Sequence, residues 1–153
     1  MAKRLSSIAR GAPDAMLTAT LTIETAGPGF VDITREAAAF LNESRAGDGL
    51  LTVFLRHTSA SLAIQENADP DVQADLMTAL RRLAPENAGW VHDTEGPDDM
   101  PAHVKTMLTD VSLSVPVRGG DMVLGVWQGL YLIEHRAAPH RREIVLQFIG
   151  KAG

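Results

Sequence analysis

Residues 17–24, "LTATLTIE", place Leu17, Ala19, Leu21 and Ile23 at odd positions and Thr18, Thr20, Thr22 and Glu24 at even ones. Successive side chains of a β-strand point to opposite faces, so a two-residue period predicts a half-buried strand with one apolar and one hydroxyl-rich face. The alternation returns in "VSLSVPV" at 111–117. Gly119 and Gly120 give a turn signal, and "MVLGVWQGLYLIEH" with "REIVLQFI" complete a β-rich C-terminal half. Helical signals sit between these strands. "TREAAAFLNESRAGDG" carries strong helix formers, an apolar face through Ala37, Phe40 and Leu41, and glycines beyond its end, which predicts about three turns.

"ADPDVQADLMTALRRLAP" is the clearest helix, with Asp69 as N-cap, Pro70 in the first turn, a stripe of Val72, Leu76, Leu80 and Leu83, and Pro85 as its stop. A short third helix is predicted from Pro101, after the turn-rich, acidic loop "ENAGWVHDTEGPDD". "LLTVFLRHTSASLAIQEN" supplies two further β-rich runs, read as a strand pair or one bent strand. The order is neither a regular βαβ alternation nor a repeat array. It predicts an α+β fold, antiparallel β-sheets with helices packed alongside, as a single compact domain over 1–153. Residues 1–14 read as a loose leader, with order beginning near Met16.

A chain of 153 residues can bury a true core, and 45% hydrophobic with 22% charged residues is ordinary for a soluble globular protein. A formal charge of −5 repels polyanions, so no nucleic-acid partner is expected. The pairs Arg81–Arg82 and Arg141–Arg142 read as solvated surface. With no cysteine, disulfides and thiolate metal sites are excluded, and any metal must be held by His, Asp or Glu. No apolar run approaches the length of a spanning helix or export signal, which predicts a cytoplasmic protein with no membrane partner.

Parity singles out two polar residues. His57 shares a strand face with Val53 and Leu55, and Glu66 shares one with Leu62 and Ile64, so both point to the apolar side and need partners there. His103 follows Pro101 into the first helical turn, where the helix dipole disfavours an imidazolium and so favours the neutral, metal-binding ring. Lys105, two residues on, lies on another helix face. His92 and Asp93 together suit zinc, manganese or iron, although their spacing fits no compact metal motif. Asp98 and Asp99 read as acids facing water, and His135 and His140 as exposed turn histidines beside arginines. Ser59 and Ser61 near His57 lack the GxSxG elbow of a hydrolase, and the glycines match no nucleotide-binding motif.

"HTSA" at 57–60, "ENADPDV" at 66–72, "HDTEG" at 92–96, "AHVK" at 102–105 and "LGVWQG" at 124–129 together make the chain resemble the YjbQ-like family, also called the secondary thiamine-phosphate synthase family. Val126 departs from the family's usual threonine, and "DDMP" is unlike its commoner loop. The resemblance implies a homotrimer of compact α+β subunits with a histidine-containing polar pocket near a subunit boundary. It also implies an activity that joins a phosphorylated thiazole to a pyrimidine diphosphate with loss of pyrophosphate. A chain this short is not the TIM barrel of the dedicated enzymes for that reaction, so the chemistry would be convergent.

On that basis His57, His92 and His103 are the expected ligands of a divalent ion (zinc, magnesium or manganese) that holds the pyrophosphate. Glu66 and Asp93 would orient ligands or water, Asn67, Gln128 and Ser59 would contact substrate, and Lys105 would meet a phosphate of the small phosphorylated partner. A metal-dependent hydrolase of a small phosphorylated or acyl compound and a non-catalytic oligomeric binding module are the alternative readings.

Overall fold

A computed structural model describes residues 3–153. Residues 3–14 of the expected leader carry no regular secondary structure and are exposed, while residues 1 and 2 lie outside the described part. The chain orders itself where the Asp14 amide donates to the Gly150 carbonyl, one residue before the first strand.

The elements are β1 (Ala15–Thr25), β2 (Gly29–Asp32), α1 (Thr34–Glu43), β3 (Ala46–Leu55), β4 (Ala60–Glu66), α2 (Pro70–Leu83), α3 (Asp99–Leu108), β5 (Ser112–Arg118), β6 (Asp121–Met122), β7 (Gln128–Glu134) and β8 (His140–Ala152). They form two antiparallel sheets, one in the order β1-β8-β3-β5-β6 and one in the order β2-β7-β4. This is the α+β class that the alternating strands predict. The first and last strands pair along the whole of β1, from Ala15 opposite Gly150 to Thr25 opposite His140.

The parity of β1 holds for Leu17, Leu21 and Ile23, which turn towards the core, and for Thr18, Thr20 and Thr22, which are exposed; Ala19, expected on the apolar side, is exposed too. The core lies between the two sheets, where Leu51, Val53, Leu55, Leu146 and Phe148 of the larger sheet meet Leu62, Leu130 and Leu132 of the smaller, with Ala37 and Leu41 of α1 filling one side. Gly49 pairs with Gly150 across β3 and β8, and a Cβ on either would collide with the Phe148 ring. Gly119 and Gly120 take φ of +57° and +89°, the left-handed backbone that a tight hairpin between β5 and β6 requires.

Helix α2 covers the other face of the small sheet, with Met77 and Leu80 on Ile133, Phe30 and Ala63. β7 is therefore covered on both faces, which is why its run from Gly129 to Glu134 is buried throughout. Asp69 caps α2 as predicted, accepting from the Asp71 amide at 2.9 Å. Leu83 departs from the expected stripe and is 65% exposed, because the last turn of α2 runs past the edge of the sheet.

Three other expectations change. The runs in "LLTVFLRHTSASLAIQEN" neither pair nor continue: β3 joins the large sheet and β4 the small one, and residues 56–59 cross between them. The segment 123–127 is a loop, and β7 begins at Gln128. Helix α3 starts at Asp99 rather than Pro101, since proline is tolerated anywhere in a first turn, where its missing N–H costs nothing. Among the described residues no helix is long and apolar enough to cross a membrane.

Candidate metal centre

Starting α3 at Asp99 moves His103 into the second turn and places it four residues from Asp99, on the same helix face. The preceding loop returns His92 over that face. His92 Nε2 lies 2.7 Å and His103 Nε2 3.1 Å from the same oxygen, Asp99 Oδ2, and the two rings tilt against each other with centroids 5.6 Å apart. Asp99, expected to face water, is 2% exposed, whereas both histidines are open on one side.

Asp99 and His103 are held from behind. The other carboxylate oxygen of Asp99 accepts from Arg136 Nη1. Arg136 also donates through Nε to Asp98 Oδ2 at 3.1 Å and through Nη2 to the Glu95 carbonyl at 2.8 Å, so it fastens the acidic loop to the β7–β8 connection. His103 Nδ1 lies 2.9 Å from the Thr58 carbonyl. A carbonyl only accepts, so Nδ1 carries the proton, and Nε2 turns its remaining position towards Asp99 and His92. Burial alone would raise the Asp99 pKa; the His92 hydrogen bond and the nearby positive charge of Arg136 outweigh it and hold the carboxyl below its ordinary value.

His92, Asp99 and His103 each offer a ligand atom, and these atoms lie within 4.8 Å of one another. A tetrahedral ion with bonds of about 2.0–2.1 Å separates its ligands by about 3.3 Å, close to the distances found here. Two imidazoles and one carboxylate suit zinc or manganese and leave positions free for water or substrate. Arg136 on Asp99 and the Thr58 carbonyl on His103 are the outer partners that such ligands need.

His57 does not join this set. Its Nε2 accepts from the Glu143 amide at 2.9 Å and its Nδ1 faces the Arg142 guanidinium at 3.5 Å, so the ring closes the crossing between the sheets. Burial, then the Arg142 charge, lowers its pKa. Arg142, expected on the surface, is 3% exposed and donates through Nε to Glu134 Oε2 at 2.7 Å. Its Nη2 reaches Ser59 Oγ at 3.1 Å, so the Ser59 hydroxyl belongs to this buried bridge.

The chain matches the family described as YjbQ-like UPF0047 protein over residues 19–151. It belongs to the YjbQ-like UPF0047 family. Among curated relatives, UPF0047 protein sll1880 of Synechocystis is 46% identical over 132 residues, spanning 86% of this chain and 90% of its own. UPF0047 protein YjbQ of Salmonella typhimurium is 43% identical, over 86% and 96%. Of solved structures, an uncharacterized conserved protein of the YjbQ/UPF0047 family from Clostridium acetobutylicum superposes with a TM-score of 0.80 at 33% identity, covering 86% of this chain and 99% of that one. Hypothetical protein APE1520 from Aeropyrum pernix gives 0.82 at 27%, covering 88% and 99%.

The YjbQ-like motifs do not gather in one place on this chain. "HDTEG" and "AHVK" supply His92 and His103. Asp93 stands exposed beside His92 in a cleft of ≈ 280 Å³ with Trp90 and Glu86. "ENADPDV" and "LGVWQG" meet at the far end of β4, where Glu66 pairs with Gln128. There Glu66 Oε2 accepts from the Asp69 amide, Asn67 Nδ2 donates to the Val126 and Gln128 carbonyls, and Gln128 Oε1 accepts from the Gly125 amide. That end is six residues along β4 from Ala60, about 20 Å at the strand rise. Lys105 lines a third location, on the face of α3 turned from His103.

Sequence reasoning missed Asp99, Arg136, Glu134, Arg142 and His135. The signal for Asp99 was its spacing of four from His103. For Glu134 and Arg142 it was parity, since each shares a strand face with buried neighbours, Leu130 and Leu132 in one case and Ile144 and Leu146 in the other.

Proposed function

We propose that the protein is a divalent-metal-dependent enzyme acting on a small phosphorylated molecule in the cytoplasm. The reaction expected first is transfer, joining a phosphorylated thiazole to a pyrimidine diphosphate with release of pyrophosphate. The observation that carries the reading is the His92–Asp99–His103 set, preoriented by Arg136 and Thr58 and open to solvent on one side. His92, Asp99 and His103 would hold the ion, and zinc or manganese suits them better than magnesium, which prefers oxygen ligands. When bound, such an ion supplies charge neutralisation at phosphate oxygens. Arg136 would keep Asp99 aimed at the centre while its own charge is spent on Asp98 and Asp99.

Glu66, Asn67 and Gln128 lie too far along β4 to touch a substrate held at this centre in the same subunit. In this reading they act on it only across a subunit boundary, in the homotrimer that the resemblance implies.

The test is metal content of untagged protein together with product analysis. About one ion per chain is expected in the parent, with metal affinity at least ~10-fold lower in His103→Ala, which loses a ligand outright where loss of an outer partner alone costs that much. Product that requires two substrates establishes transfer, and product from one substrate plus water establishes the hydrolase instead. Metal content unchanged in His103→Ala sinks the metal assignment, and no turnover with any phosphorylated substrate leaves the oligomeric binding module.

A further inference from the structure

We propose that the cavity between α2 and α3, walled by Lys105, His135 and Arg81, is a second, metal-independent site in which Lys105 and Arg81 bind the phosphate group of a small molecule. The cavity measures ≈ 350 Å³, and apolar Met77, Pro28 and Ala84 share its lining with these three residues. Its size suits a compact ligand rather than a polymer.

Lys105 is only 8% exposed, yet among the described residues its ammonium has no hydrogen-bond or ion-pair partner. The covered part is the stem: Nζ is not among the buried atoms left without a partner, so the ammonium still opens onto the cavity. The acids nearby do not pair with it. Asp98 already accepts from Arg136 Nε and the Ala137 amide, and Glu86 is exposed at the rim.

His135 adds a second unanswered group. Its Nε2 lies 2.8 Å from Ser61 Oγ, and its buried Nδ1 has no partner. Ser61 is fully buried, and its hydroxyl has no other contact among the described residues. The hydroxyl proton therefore goes to His135 Nε2 and leaves Nδ1–H without an acceptor, closed off from solvent, so His135 is a polar wall of the cavity rather than a contact for the ligand. Arg81, exposed on α2 and bonded to Thr78 Oγ1 at 2.8 Å, adds a second positive charge at the mouth. Glu86 and Asp98 share this lining, but Asp98 is already answered by the Arg136 guanidinium, so the charges of Lys105 and Arg81 outweigh that of Glu86 and suit an anion such as phosphate.

The site does not depend on the metal reading, since Lys105 is two residues beyond His103 and on another face of α3. Inorganic phosphate is the probe, titrated calorimetrically into chelator-treated full-length protein. Saturable binding at one site per chain is expected. Loss of a charge-assisted hydrogen bond in Lys105→Met should weaken it by ~10-fold or more. Arg81→Ala, which removes only an exposed charge, should weaken it by about 2- to 5-fold. No saturable binding in chelator-treated parent, with binding restored by added metal, would place the phosphate on the ion and overturn the site. Equal affinity in a folded Lys105→Met overturns it too. Should that variant not fold, Lys105→Gln decides, because it keeps a polar group on a similar stem and removes the charge; unchanged affinity there defeats the assignment.

Discussion

His135 is 2% exposed, and burial, with the Lys105 charge next, pushes its pKa from 6.5 to about 4. Above pH 6.5 the ring is neutral in folded and unfolded chains alike and does not affect the balance. Between 6.5 and 4 the unfolded chain takes up a proton that the folded chain refuses, so stability falls as the pH falls. The loss approaches on the order of 3 kcal/mol near pH 4. Urea unfolding at pH 7 and pH 4.5 should show His135→Gln losing clearly less stability on acidification than the parent; parallel losses would acquit His135. In sequence, "EHRAAPHR" reads as a surface turn, which is true of residues 137–139 and not of His135. What the turn signal lacks is the cover supplied by distant elements: the Ser61 hydroxyl from β4 and the cavity wall shared by α2 and α3. His92 and His103 were legible as candidate ligands from residue type alone, whereas the helix start expected at Pro101, which puts His103 in the first turn, lies two residues too late. Asp99 and Arg136 were not, since an acid in an acidic loop gains its meaning only from the arginine that the β7–β8 connection brings to it.

At the scale of elements, Glu134 on β7 and Arg142 on β8 tie the two sheets together across the end of the core, with the Thr25 hydroxyl donating to Glu134 Oε2 at 2.7 Å. Burial alone would raise the Glu134 pKa; hydrogen bonds from Arg142, Arg136 and Thr25 reverse that and keep it ionised. Removing one charge leaves the other buried without compensation. Glu134→Gln should therefore cost about 3–5 kcal/mol in chemical denaturation, while the double change Glu134→Leu, Arg142→Met should recover most of it. A single-variant loss under about 1 kcal/mol would mean that water already reaches the pair, contrary to its burial. The strands and α2 were legible because their period of two or 3.6 is written in consecutive residues. Pairing partners were not: parity tells which face of β3 is apolar but not that β8 lies beside it, nor that β4 leaves for the other sheet.

At the scale of the whole molecule, the large sheet has an inner face in the core and an outer face with large exposed hydrophobics, which residues 10–13 approach at one end beside Leu50 and Ile149. Register aligns Met16, Ile149 and Leu50 in one row across β1, β8 and β3, and Thr20, Val145 and Phe54 in another. Met16, Leu50, Phe54 and Ile149 are all exposed large hydrophobics of this face, with the polar row of Thr18, Gln147 and Thr52 between Phe54 and the other three. Solvating such a patch is unfavourable, and large exposed apolar patches mark association surfaces. This face is where the homotrimer expected of the family would bury its contacts, and three copies around an axis would use unlike patches, so a change on one face acts once per interface. Phe54→Asp puts a charge on this face without touching the core, because Phe54 points away from Val53 and Leu55. Sedimentation velocity should find the parent at three chain masses and Phe54→Asp at one, with the secondary structure of the variant unchanged. A parent that sediments as a single chain at micromolar concentration removes the homotrimer, and with it any role for Glu66, Asn67 and Gln128 at a neighbour's metal centre. A variant that stays trimeric moves the interface off this sheet and onto the exposed loop around Val126 and Trp127.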